Sequence, residues 1–75
     1  MFLCIINEVL WDFTPGMVII AAENLDQARE IFVRELDRDD SEFNRSVSKG
    51  KYRVLQLDEN AHREPGLIDH VWGGG

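Results

Sequence analysis

The stretch MVIIAAENLDQAREIFVREL, residues 17–36, decides the fold of this chain. Its first six residues, Met17-Val18-Ile19-Ile20-Ala21-Ala22, form a solid apolar run and predict a buried strand. Asn24 then supplies a side-chain acceptor for a free N–H of the first helical turn, and Gln27 stands where a capping box needs it. Leu25, Ala28, Ile31, Phe32 and Leu36, with the stem of Glu35, follow the i, i+3, i+4 spacing of one buried helical face, and Val33 widens it. Asp26 with Arg29, and Glu30 with Arg34, are spaced to pair along the exposed side.

Working outward, Phe2 to Val9, with Trp11 as its outer limit, predicts a first strand and not a signal peptide. Its apolar residues fall on both parities, which a strand covered on one face only would not need. Asp12-Phe13-Thr14-Pro15-Gly16 predicts a turn, with Pro15-Gly16 suited to type II geometry, and so a hairpin. Beyond the helix, Asp37 to Glu42 ends it, and Phe43 to Gly50 reads as a loop with Phe43 tucked under the helix. Lys51 to Asp58 predicts a third strand, Asp58 to Gly66 a polar connection, and Leu67 to Trp72 a short last strand. The expected fold is α+β: a two-layer, mostly antiparallel four-stranded sheet (β-β-α-β-β) with one helix on one face. Residues 1–72 form a single domain and Gly73 to Gly75 a flexible tail.

At 75 residues the core is small, and a net stability of only ~3–5 kcal/mol is expected. A hydrophobic fraction of 44% is too high for a disordered chain. The single cysteine, Cys4, excludes an intrachain disulfide, and with two histidines it cannot build the usual structural zinc site; it fits a reducing compartment. No apolar run approaches a membrane span. A formal charge of −6 disfavours direct nucleic-acid binding and makes basic protein surfaces the natural partners.

The sheet carries more apolar surface than one helix can cover. Its open face is expected to meet a partner or a second copy, unless the 43–50 loop, Trp11 and Trp72 fold over it. The acidic residues Glu35, Asp37, Asp39, Asp40 and Glu42 precede a basic set, Arg45, Lys49, Lys51 and Arg53. The acids could imitate phosphates before a basic groove and the basic set could hold an anion; equally, the two sets could pair in a solvated loop. The acidic segment lacks the glycine and the twelfth-position glutamate of a calcium loop. His62 lies in a polar connection, and His70 and Asp69 are strand neighbours on opposite faces. With Cys4 expected as a small buried hydrophobe, no catalytic residues, metal site or cofactor are expected.

Val18-Ile19-Ile20-Ala21-Ala22-Glu23 running into Ala28-Arg29, then Asp58-Glu59-Asn60-Ala61, Gly66-Leu67-Ile68 and the closing glycines, resemble small phage-encoded accessory proteins of the β-β-α-β-β type. The likeness covers most of the chain, but its motifs are fold-level. The polar segment 37–50 departs from the pattern, which carries aromatic residues there. Such proteins are mostly uncharacterised, and some small acidic ones are anti-CRISPR or other host-defence inhibitors. The resemblance implies a phage protein in the cytoplasm of a bacterial host and supplies no catalytic residues. The expected function is therefore non-enzymatic: binding and blocking a host nucleic-acid-processing or defence complex at a basic surface. Glu35, Asp37, Asp39, Asp40 and Glu42 would steer, and Trp11 and Trp72 would anchor. The alternative is a homodimeric structural or regulatory protein without inhibitor activity.

Overall fold

The computed structural model describes residues 1–12, 14–58 and 63–74. Phe13, residues 59–62 with His62, and Gly75 lie outside the described residues. The elements are β1 Phe2–Asp12, β2 Thr14–Ala22, α1 Leu25–Leu36, α2 Ser41–Ser48, β3 Tyr52–Gln56 and β4 Gly66–Val71. One four-stranded sheet has the order β3-β1-β2-β4, and every neighbouring pair is antiparallel. The protein is thus an α+β domain with the expected strand succession.

Both helices lie on the same face of the sheet, α1 over β2 and β4, α2 over β1. Cys4, Ile6, Val18, Ile20 and Ala22 point into this layer and are buried against Ala28, Ile31 and Phe32 of α1 and Phe43 of α2. The Phe32 and Phe43 rings meet at 5.5 Å and 54°. The helix predicted from 17–36 is therefore present with its expected inner face. Val33, at 37% exposed, and Glu35, whose stem was expected there, stand outside that face.

The expected single helix is joined by a second, which corrects the reading of 43–50 as a loop. Phe43, Ser46 and Val47 recur at i, i+3, i+4 and face the core. Gly50, at φ 70°, closes α2: its N–H donates to the Val47 carbonyl, and the Lys51 N–H donates to that of Ser46. Eight residues of mostly polar sequence have little intrinsic helical stability, so burial of Phe43 is what fixes them.

The helix α1 starts as its sequence implies. The Asn24 carboxamide oxygen accepts the Gln27 N–H at 2.8 Å, and the Gln27 side chain accepts the Glu23 N–H. It ends on Asp37, a non-glycine residue held at φ 50° whose N–H donates to the Val33 carbonyl. Left-handed backbone is costly with a Cβ, and an acid at a helix C-terminus opposes the macrodipole. Asp37→Gly is expected to raise stability by about 1 kcal/mol, read as a higher urea midpoint at unchanged slope.

The Pro15-Gly16 turn is also corrected. Asp12 pairs with Thr14 and Val9 with Gly16, so Pro15-Gly16 lies inside β2. Gly16 serves a different end: a Cβ there would overlap the Val71 carbonyl oxygen and stand 2.8 Å from the Gly73 nitrogen. Beyond β4 the chain is tied back. The Gly73 N–H donates to the Leu10 carbonyl, and Gly74 exchanges two hydrogen bonds with the Thr14 hydroxyl. The tail expected to be flexible is hydrogen bonded at these two residues.

Cys4 is 1% exposed, and burial pushes its thiol above the ordinary range. Because the folded pKa lies above the unfolded one, the associated stability is present below ~8.5 and is lost as pH rises past it. Labelling of Cys4 by a thiol reagent is expected to be slowed on the order of 100-fold relative to the urea-unfolded chain.

Candidate functional site

Alternation in β1 breaks after Asn7. Glu8 and Leu10 adopt φ 58° and 54°, the pairing with β2 shifts register there, and Val9 and Leu10 are both buried. This bulged backbone throws Trp11 outward at the tip of the hairpin. Its indole N–H donates to the Glu8 carbonyl at 2.8 Å, which also accepts the Ser46 hydroxyl at 3.1 Å. Its backbone N–H donates to the Glu42 carboxylate at 3.1 Å.

Glu42 joins two parts of the surface that sequence reasoning treated separately. Its second carboxylate oxygen pairs with Arg38. The Arg38 guanidinium lies 5.1 Å from the Trp72 ring centre, and the His70 ring meets Trp72 edge-on at 6.5 Å. Contacts running from the Trp11 backbone N–H through Glu42 and Arg38 to the Trp72 ring therefore link the two segments that carry exposed indoles, 43% and 48% accessible. The missed members are Arg38 and His70. The spacing of Arg38 to Glu42 could have signalled the ion pair, but nothing local pointed it at Trp72.

The rest of the acidic group is dispersed over different tasks. Asp39 accepts the Ser41 hydroxyl at 2.5 Å and the Ser41 N–H at 3.0 Å; these bonds, the hydroxyl first, hold its carboxyl below the usual range. The sign is the reverse of that for Cys4: this contribution is present above ~3.9 and is lost as pH falls through the folded value. Asp37 caps α1, and Glu35 approaches Arg34 at 3.4 Å on an exposed face. Asp40 is exposed at the start of α2. The group therefore spans the end of α1 (Glu35), the connection (Asp37, Asp39, Asp40) and the start of α2 (Glu42), with its acids outward except for Glu42, whose side chain is 13% exposed.

On the other side of Trp11 lies a cavity of about 280 Å³ lined by Glu8, Trp11, Arg45, Ser46, Lys49 and Lys51. Lys51 approaches Glu8 at 3.7 Å. Three cations and one carboxylate leave the cavity net positive on an acidic chain, so the predicted basic set gathers there except for Arg53. Arg53 lies on β3, opposite Ile5. Among the described residues no group of three His, Cys, Asp or Glu side chains is placed to hold a metal, and no helix is long and apolar enough to cross a membrane.

Among the described residues no helix covers the second face of the sheet, although Ala21 on that face is fully buried. Leu3, Ile5, Met17 and Ile19 sit half-buried on the face away from both helices, and Leu55 and Val71 are 42% and 55% exposed. Fold and surface together define the class: a four-stranded α+β domain with two exposed indoles whose segments are linked through Glu42 and Arg38. No family model matches the chain, and neither the curated proteins nor the solved structures contain a significant match to it.

Proposed function

We propose that this protein is a non-enzymatic protein-binding module that presents Trp11, Trp72 and the acidic ridge Asp37–Glu42 to a basic protein surface. The carrying observation is the run of contacts from the Trp11 backbone through Glu42 and Arg38 to the Trp72 ring, together with the Trp11 indole held on the Glu8 carbonyl, so that two large exposed aromatics are fixed in place. Tryptophan is the side chain most enriched among interface anchors, and anchors already held lose little freedom on binding. A formal charge of −6 favours approach to a cationic partner. The narrower reading is a phage-encoded inhibitor acting in the bacterial cytoplasm on a nucleic-acid-processing or CRISPR-like defence complex. It is supported by the resemblance carried by residues 18–29 and 66–68 and by the acidity of the chain.

The test starts from partners captured out of bacterial lysate on the immobilised protein, identified by mass spectrometry and titrated in pure form. Trp72→Ala is expected to weaken binding ~10–100-fold. Asp39→Lys with Asp40→Lys is expected to weaken it and to flatten its dependence on salt. A partner that binds all variants equally, or one whose contact surface is acidic, refutes the reading.

A further inference from the structure

The registers place the bare face of the sheet in three rows running across β3, β1, β2 and β4. The middle row is Arg53–Ile5–Ile19–Asp69. One flanking row is Leu55–Leu3–Ala21–Gly66, and the other runs Asn7–Met17–Val71. Arg53 and Asp69 are the charged residues of these rows. They stand at opposite edges, both exposed, and among the described residues neither makes an ion pair; Asp69 accepts only the neighbouring His70 N–H.

We propose that this face binds a second copy of the same chain, sheet on sheet, about a two-fold axis parallel to the strands. Such an axis reverses each row onto itself. Arg53 then stands over Asp69 of the other protomer, twice by symmetry, and Ile5 over Ile19. In the flanking row Leu3 stands over Ala21, whose methyl is already buried within its own protomer, and Leu55 over Gly66, large over small, as interdigitating layers about 10 Å apart require. The other symmetric stacking, with its axis across the strands, sets Arg53 over Arg53 and Asp69 over Asp69, and like charges facing each other are costly. The charge pattern therefore selects one arrangement, and the selected face is neutral although the chain is not. Aligned packing of two twisted sheets completes a sandwich whose second core is this face. It lies away from the layer that holds both helices, so each protomer of the dimer keeps the end bearing Trp11 and Trp72. The inference stands independently of the function proposed for that end.

A four-stranded face ~20 Å wide and ~17 Å long is small for an interface, so a dissociation constant on the order of 10 μM is expected. Sedimentation velocity from about 1 μM to 1 mM should show a monomer–dimer equilibrium. Arg53→Asp alone and Asp69→Arg alone should each weaken association at least ~10-fold, while circular dichroism shows the fold intact. An equal mixture of the two single variants, and the double variant Arg53→Asp/Asp69→Arg, should recover it, because opposite charges then face each other again. A wild-type chain that stays monomeric to 1 mM overturns the proposal, including the case in which a different protein is later found on this face. So does a dimer indifferent to both single reversals, or one that neither the mixture nor the double variant restores.

Discussion

Phe32→Ala is expected to leave this domain largely unfolded at 25 °C. Phe32 is fully buried in α1, and its ring packs α1 on α2, 5.5 Å from that of Phe43. Truncating a buried phenylalanine costs about 3–5 kcal/mol, through the lost transfer energy and the cavity left behind. A domain of this size has a total of roughly that amount. The void cannot close by a small shift, because Ile31, Phe43 and the strand residues around it already pack on the paired sheet. Loss of α2 follows, since burial of Phe43 is what makes its polar sequence helical. The expected readout is a far-ultraviolet spectrum without cooperative melting, and urea titration of Phe32→Leu, which keeps most of the volume, showing a folded protein with a lower midpoint. A Phe32→Ala protein that melts cooperatively within about 1 kcal/mol of wild type would refute this account of the core.

Gly16→Ala is the second large effect. The added methyl meets three backbone atoms of the 71–73 segment: the Val71 carbonyl oxygen, the Gly73 nitrogen at 2.8 Å and the Trp72 carbonyl carbon at 3.1 Å. Backbone cannot rotate aside as a flexible side chain does, so the end of the β2–β4 ladder at Met17 and Val71 must open. The hydrogen bond from Gly73 to Leu10 shares that segment and goes with it. A loss of about 2–3 kcal/mol is expected, with amide exchange accelerated first at residues 71–74. The Arg38–Trp72 contact should loosen as well, visible as a change in indole fluorescence. Gly66→Ala is the control: nothing lies within 4 Å of its added Cβ, and its stability should stay within about 0.5 kcal/mol of wild type. Equal losses at the two glycines would show that close approach is not what Gly16 provides.

These two positions mark where sequence reading succeeds and where it stops. Phe32 was legible because its spacing from Leu25, Ala28 and Leu36 is a local property of one helix. Gly16 was read as half of a turn, since Pro-Gly is a strong turn signal taken alone. Its actual task depends on a strand more than fifty residues away, and no short-range pattern carries that. The residues of α2 show the same limit more mildly. Phe43, Ser46 and Val47 have helical spacing and Gly50 is a proper stop, but one strong apolar residue in eight gives too little periodicity against a polar background. At the candidate site, Trp11, Trp72 and Glu42 were each legible as surface features. Their connection through Arg38 was not, because it joins the ends of two strands to the start of a helix.

By itself the sequence determined the strand-to-helix unit of residues 17–36, the strand succession around it and the surplus of apolar strand surface. All three follow from side-chain periodicity, which the chain carries residue by residue. Only the tertiary structure decided which face of the sheet both helices cover, that Trp11 and Trp72 share one network, and that Arg53 and Asp69 close opposite ends of one apolar row. Those outcomes depend on register between strands, and register is set by long-range pairing and by bulges at Glu8, Leu10 and between Asp69 and Leu67, where a one-residue shift would send every side chain to the other face.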